Sequence, residues 1–199
     1  MAENGLLSED HPVVSHKDTG IPPKKKEISP LVQLAGQREW NLQRLAKLVS
    51  SGRPAFDFTT AGSSGKSPEV LLNLLALPIF KTGVVVDIRA NPSSQHTPLW
   101  NKPSVQAIVK GHGLDYVHRP DLGVPREIRN QLVHGLMSYP AFFEWYDARV
   151  ATETVVDGLR ELIPRRPLFL CTELGLTYCH RHRLALAVEK RFEMISFDV

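Results

Sequence analysis

Gly83-Val84-Val85-Val86-Asp87-Ile88-Arg89 is the stretch that decides the fold. It is apolar on both of its alternating faces, which is what a β-strand covered on both sides by helices requires. Working outward, short apolar runs alternate with helical patterns: AFDFTTAG (55–62), PEVLLNLLA (68–76), PSVQAIVKG (103–111), LDYVHR (114–119), a helical stretch from Ala141 to Leu162, PLFLC (167–171), and CHRHRLALAVEKRF (179–192). The final EMISFDV reads as one more strand. Strands joined through helices must cross over and pair in parallel. The expected fold is therefore α/β: three layers, Rossmann-like, with a mostly parallel sheet and flanking helices. No internal repeat is visible.

Upstream the pattern changes. Residues 1–29 carry Pro12, Pro22, Pro23 and a Lys24-Lys25-Lys26 run with few large apolar residues, the composition of a flexible basic arm. From Pro30, Leu34, Trp40, Leu42, Leu45, Leu48 and Val49 recur at helical spacing, with Ser29 as a cap. This gives an amphipathic helix extension over 30–52, followed by a single α/β domain over 53–199. The composition, 42% hydrophobic and 23% charged over 199 residues, supplies one core of ordinary size and excludes a wholly disordered chain. The longest uncharged apolar stretch, Val70 to Phe80, is broken by Asn73 and Pro78 and falls short of the roughly 20 residues that cross a bilayer. Residues 1–10 lack a basic start followed by an apolar run, so no secretory signal is read and the expected location is cytoplasmic. Two cysteines there do chemistry or pack, since a reducing compartment does not favour a disulfide scaffold. A net charge of +3 suits an anionic ligand without demanding one.

Parallel sheets place their chemistry at the carboxyl ends of the strands. That rule collects Gly62, Ser63 and Ser64 after the first strand, Asp87 and Arg89 after the second, His118 and Arg119 after the third, and Cys171 and Glu173 after the fourth. Thr60 to Ser67 (TAGSSGKS) approaches a phosphate-cradling loop, but Thr60 stands at the leading glycine and Pro68 follows Ser67 at once. The plainer reading is a turn into a helix capped by Ser67, with Pro68 at its first position and Glu69 complementing the dipole. Asp87 and Arg89 flank Ile88, so they leave the same face of the strand and can pair. The loop after them, through Ser94 and His96, offers hydroxyls, amides and an imidazole to a ligand.

The sharpest signal is LFLCTELGLTYCHRHR, 168–183. Cys171 sits where a strand ends, Glu173 lies two residues on, and Thr177 can cap a helix whose first turn holds Cys179, His180 and Arg181. A thiol in that turn has its pKa lowered by the helix dipole and nearby cations. Cys179 is one candidate thiolate and Cys171, facing backbone N–H groups, the other. On a helix Arg181 falls on the stripe of Leu184, Val188 and Phe192 that faces the sheet, so its guanidinium needs Asp87, Glu173 or a bound anion. A zinc site from Cys171, Cys179, His180 and His182 is disfavoured because His180 and His182 diverge by about 200° on a helix. No metal is therefore expected and no cofactor is indicated, while a redox disulfide between the cysteines stays open. The phosphatase and rhodanese spacing, an arginine six residues after the cysteine, is absent; Thr177 stands there.

The chain from about Phe56 to Phe192 resembles the domain-of-unknown-function family 488, whose members look like small α/β proteins. The resemblance is carried by Thr60-Ala61-Gly62-Ser63-Ser64, by Asp87, Arg89, Pro92 and Ser94 in a DxRxxPxS pattern, by Leu122-Gly123, by an aromatic helix with Phe142, Phe143 and Tyr146, and by the CxE and CHR residues Cys171, Glu173, Cys179, His180 and Arg181. The loop Leu174-Gly175-Leu176 is less charged than is usual in the pattern, and residues before Gly52 lie outside it. The resemblance implies a fold and a site, and it brings no reaction with it.

Together these readings give a candidate catalytic set of Cys171, Glu173, Cys179, His180, Arg181 and Asp87, and a candidate binding set of Arg89, Ser94, Gly62, Ser63, Ser64, Arg119 and Tyr146. The first hypothesis is an enzyme on a phosphate-bearing nucleotide or nucleic acid: Arg89, Arg119 and Arg181 hold anionic groups, a cysteine acts as thiolate, and Glu173 or His180 moves protons. The alternatives are a nucleic-acid-binding module in which the CxE and CHR residues form a structural knot, and a thiol redox or metal-binding protein. A homodimer is compatible with each, and no membrane partner is expected.

Overall fold

The computed structural model describes residues 30–199, and of 30–33, 153 and 154 only the backbone. The expected arm, with its lysine triplet and the Ser29 cap, lies outside the described residues. Five strands, β1 (Phe58–Gly62), β2 (Val84–Asp87), β3 (Asp115–His118), β4 (Pro167–Cys171) and β5 (Ser196–Asp198), form one sheet in the order β3-β2-β4-β1-β5, with every neighbouring pair parallel. The all-apolar runs become the central strands: β1, β2 and β4 are buried at every position.

Seven α-helices flank the sheet among the described residues: α1 (Pro30–Ser50), α2 (Pro68–Leu75), α3 (Lys102–Gly111), α4 (Arg126–Val133), α5 (Tyr139–Val150), α6 (Glu153–Asp157) and α7 (His180–Phe192). Alternation along the strands divides the core in two. Phe58, Val84, Val86, Phe169 and Cys171 point toward α5 and α7, while Ala61, Val85, Leu168 and Leu170 point toward α2 and α3. The chain moves outward through α2 and α3 to reach β2 and β3, then returns through α4–α7 to β4 and β5. That reversal puts helices on both faces, and it makes the carboxyl end between β4 and β1 a switch point, where crevices open in such sheets.

Helix α2 starts as its sequence dictates, with Ser67 accepting from Val70 N and Pro68 in the first turn. The stretch Ala141–Leu162 is not one helix. It breaks after Val150, where the Thr152 hydroxyl donates back to the Arg149 carbonyl and Gly158 follows soon after. Helix α1 packs along β5: Asn41 exchanges hydrogen bonds with the Asp198 backbone, Gln37 Nε2 donates to Asp198 Oδ2, and buried Arg44 stacks on Trp40 while pairing with Glu189 of α7. An edge strand with bare N–H and C=O groups is thereby covered.

Candidate active site

The β1 and β4 termini are tied together before any side chain enters. Ser63 N donates to the Cys171 carbonyl and Ser64 N to the Thr172 carbonyl. Gly62 has to be glycine here, since a Cβ would lie 1.6 Å from the Glu173 carbonyl oxygen. Gly62, Ser63 and Ser64 thus hold the β4–α7 loop in place by backbone contacts, and Lys66, the residue that would grip a phosphate in a nucleotide loop, donates instead to the Val199 carbonyl.

Against this support sit two thiols. Cys171 closes β4, and Cys179 is the N-cap of α7, not a residue of its first turn; Thr177 does not cap the helix. Their sulfur atoms are 3.4 Å apart, with Cys179 donating to Cys171, and both are buried. Both ring nitrogens of His180 lie near Cys171 Sγ, at 3.7 and 3.9 Å, and the imidazole packs edge-on against Tyr146. Burial works against a charge on Cys171, but the hydrogen bond from Cys179, then His180 and Arg181, outweigh it and hold this thiol well below its ordinary value. Burial pushes the Cys179 thiol up, and the hydrogen bond it donates to Cys171 pushes it further. The hydrogen bond between the thiols thus drives their acidities apart, Cys171 downward and Cys179 upward. From sequence either cysteine could be the reactive one, Cys179 by the helix dipole and nearby cations; here burial and the hydrogen bond it donates act on Cys179 in the opposite direction.

Arg181 is fully buried on the predicted stripe, but its partner is neither Asp87 nor the Glu173 carboxylate. Nε lies 3.0 Å from Asp198 Oδ1, Nη1 donates to the Glu173 carbonyl at 2.5 Å and to Cys179 Sγ at 3.3 Å, and Nη2 reaches the Leu174 carbonyl. Asp198, in turn, accepts from the Thr60 hydroxyl at 2.5 Å. Asp198 and Thr60 are the members of this cluster that sequence reasoning missed. The available signal was strand alternation, which puts Asp198 on the same face of β5 as buried Ser196.

Asp87 and Arg89 belong to a separate cluster on the α2–α3 face. They pair at 2.5–2.8 Å, Tyr116 Oη donates to Asp87 Oδ2 at 2.6 Å, and burial followed by that bond raises the Tyr116 phenol far above its ordinary value. His118 Nε2 lies 2.9 Å from the Arg89 carbonyl, and Lys102 Nζ lies 3.2 Å from His118 Nδ1. With Lys102 donating to Nδ1, the Nε2–H of His118 donates to Arg89. The second glycine with a clear role, Gly123, belongs here, because a Cβ would sit 2.5 Å from Ala90 N.

The remaining candidates are placed as follows. Arg119 is engaged with Asp121 and the Gly158 carbonyl, Ser94 Oγ accepts from the His96 and Thr97 amides within its own loop, and Tyr146 is fully buried with its hydroxyl on the Leu122 carbonyl. His182 turns away from the thiols and packs edge-on against Trp40, as its offset from His180 requires. The sequence expectation of one pocket gathering Asp87 and Arg181 is thus replaced by two clusters at one sheet edge: Cys171, Cys179, His180, Arg181 and Asp198 on the α7 side, and Asp87, Arg89, Tyr116 and His118 on the α3 side.

No curated protein and no solved structure matches the chain. The family described as domain of unknown function DUF488 matches residues 72–188, which run from α2 to the penultimate turn of α7 and take in Asp87, Arg89, both thiols, His180 and Arg181. That span is more than half of the chain, and the chain belongs to this family.

Proposed function

We propose that the protein is a thiol enzyme whose Cys171 thiolate attacks a small electrophile, with Cys179 as the thiol that resolves the adduct. The observation that carries this reading is the 3.4 Å contact between two buried sulfurs whose acidities are driven in opposite directions. One is a nucleophile and the other keeps its proton until it is needed. Because Cys171 is only 2% exposed, the reactant is small, and a hydroperoxide fits. The thiolate attacks the terminal oxygen, the O–O bond breaks, and the departing alkoxide or hydroxide takes a proton that His180 can relay, leaving Cys171–SOH. Cys179 then attacks that sulfur, water leaves with the thiol proton, and the disulfide forms. The sulfurs must approach by about 1.4 Å for this bond. Two equivalents of a low-molecular-weight thiol restore the reduced pair.

The test is intact-mass analysis after one equivalent of hydrogen peroxide. The wild-type chain is expected to lose two hydrogens, Cys179→Ser to stop at a sulfenic acid trapped by dimedone, and Cys171→Ser to remain unmodified. Oxidation of Cys171→Ser at the wild-type rate would reject the reading.

A phosphate-bearing nucleotide or nucleic acid as substrate is the second reading, and it is supported away from the arginines first assigned to it. Arg89, Arg119 and Arg181 are each engaged by a carboxylate, whereas exposed Lys102 lines a cavity of about 530 Å³ with His118, Ser93 and Ser104.

A further inference from the structure

We propose that Cys171 Sγ, Cys179 Sγ and one ring nitrogen of His180 form a binding site for a thiophilic closed-shell cation, zinc(II) or copper(I). The four-ligand zinc site disfavoured on spacing required His182; without it, the other three donor atoms lie within 4.8 Å of one another. Two of the separations are close to those of a coordination shell. With metal–sulfur bonds of about 2.3 Å and metal–nitrogen bonds of about 2.0 Å, the edges of a tetrahedron are about 3.8 Å between sulfurs and about 3.5 Å between sulfur and nitrogen. The observed values are 3.4 Å between the sulfurs and 3.7 Å from Cys171 to His180 Nδ1.

The surroundings select the ion. The donor set is two sulfurs and an imidazole with no carboxylate in it, so it favours soft and borderline cations over magnesium or calcium. Charge also balances: two thiolates neutralise a divalent ion, and the Arg181 guanidinium, which donates to Cys179 Sγ, is already neutralised by Asp198. That N–H···S bond is the kind of outer contact that orients a metal-binding thiolate. All three donors are buried, and they hang from fixed points, the end of β4 and the start of α7. Zinc uses three such donors with a fourth group from outside the cluster, and copper(I) can use three alone. Binding displaces the Cys179 proton and masks both thiols. The site is therefore a second property of the residues to which the oxidative chemistry was assigned.

The experiment uses the full chain, reduced, under anaerobic conditions and without oxidant, so that its outcome is independent of any peroxide reactivity. Zinc(II) is titrated in competition with a chromophoric chelator, copper(I) likewise with its own chelator, and cobalt(II) serves as an optical probe of thiolate coordination. We expect one equivalent of at least one ion, which identifies the natural class, and sulfur-to-cobalt charge-transfer absorption. Cys171→Ser and Cys179→Ser are expected to weaken binding by about a hundredfold or more, and His112→Ala, at an exposed surface histidine, to leave it unchanged. Should a cysteine variant fail to fold, the wild-type chain still decides the matter: bound metal must slow alkylation of both thiols at least about tenfold. Failure of both ions to bind, or binding that leaves alkylation untouched because surface histidines hold the metal, overturns the proposal.

Discussion

At the scale of single residues, one demand was legible and its answer was not. The helical stripe of Leu184, Val188 and Phe192 requires Arg181 to be buried and paired, and it is 0% exposed. The partner, Asp198, comes from the last strand, whose short run gave a strand but no reason to single out one carboxylate. Removing it leaves a buried guanidinium with carbonyl and sulfur acceptors but without the carboxylate that pairs with it. Asp198→Ala is expected to cost about 3–5 kcal/mol, measured by urea unfolding of the reduced protein. Because Arg181 also holds the Glu173 and Leu174 carbonyls, the same change should speed alkylation of Cys171 by loosening the loop above it. A second residue-scale prediction concerns the thiol pair. Cys179→Ala deletes the hydrogen bond that stabilises the Cys171 thiolate, so the pH midpoint for alkylation of Cys171 should move upward toward the ordinary value, whereas Cys179→Ser, which keeps a donor, should move it less.

At the scale of elements, periodicity identified the strands because each central one is buried on both faces and so carries an unbroken apolar run. Capping chemistry placed the start of α2 for the same reason: Ser67, Pro68 and Glu69 act locally, and no distant partner is needed to interpret them. Two features escaped because they depend on local competition or on distant contacts. The break after Val150 follows from a threonine hydroxyl returning to the backbone, which an apolar count does not register. The start of α7 at His180, with its cap two residues after the expected Thr177, leaves Cys179 in extended backbone, where its thiol turns toward β4 and not along the helix. The β1–β4 junction gives an element-scale prediction. Gly62→Ala places a methyl group on the Glu173 carbonyl, whose backbone cannot yield without breaking the Ser63 and Ser64 bonds to β4 and its loop. Overpacking of this kind is expected to cost about 1–3 kcal/mol or more by urea unfolding, whereas Ser67→Ala at the nearby cap should cost about 1 kcal/mol and leave thiol reactivity unchanged.

At the scale of the whole molecule, winding to both sides of the sheet brings β4 beside β1, and so places the dithiol at the switch point while Asp87 and Arg89 face the opposite layer. The rule that chemistry gathers at the carboxyl ends of parallel strands collected residues that do lie at one edge of the sheet, but it says nothing about which side of the sheet each side chain takes. Strand parity does: Val84 and Val86 share the layer of Cys171, and Asp87 and Arg89 take the other. The two thiols then make global stability depend on pH with a sign that can be worked out. Below the ordinary thiol value of 9.0, the folded chain has already released the Cys171 proton that the unfolded chain still holds, so stability rises with pH from the depressed Cys171 value up to about 9 and is lost again as pH falls through that value. Above 9.0 the unfolded chain releases the Cys179 proton that the folded chain retains, so the contribution of that thiol declines as pH climbs toward its raised value. Their joint contribution peaks near 9. Tyrosines also oppose folding at alkaline pH, with half-buried Tyr139 pushed up to about 12 by burial and by the Glu173 charge, so the thiol effect is read as a difference between chains. Urea midpoints from about pH 6 to about pH 10 in a non-thiol reductant should show this maximum in the wild-type chain minus the Cys171→Ser/Cys179→Ser variant. A difference that stays flat across that range would mean that neither sulfur has its acidity altered by the fold.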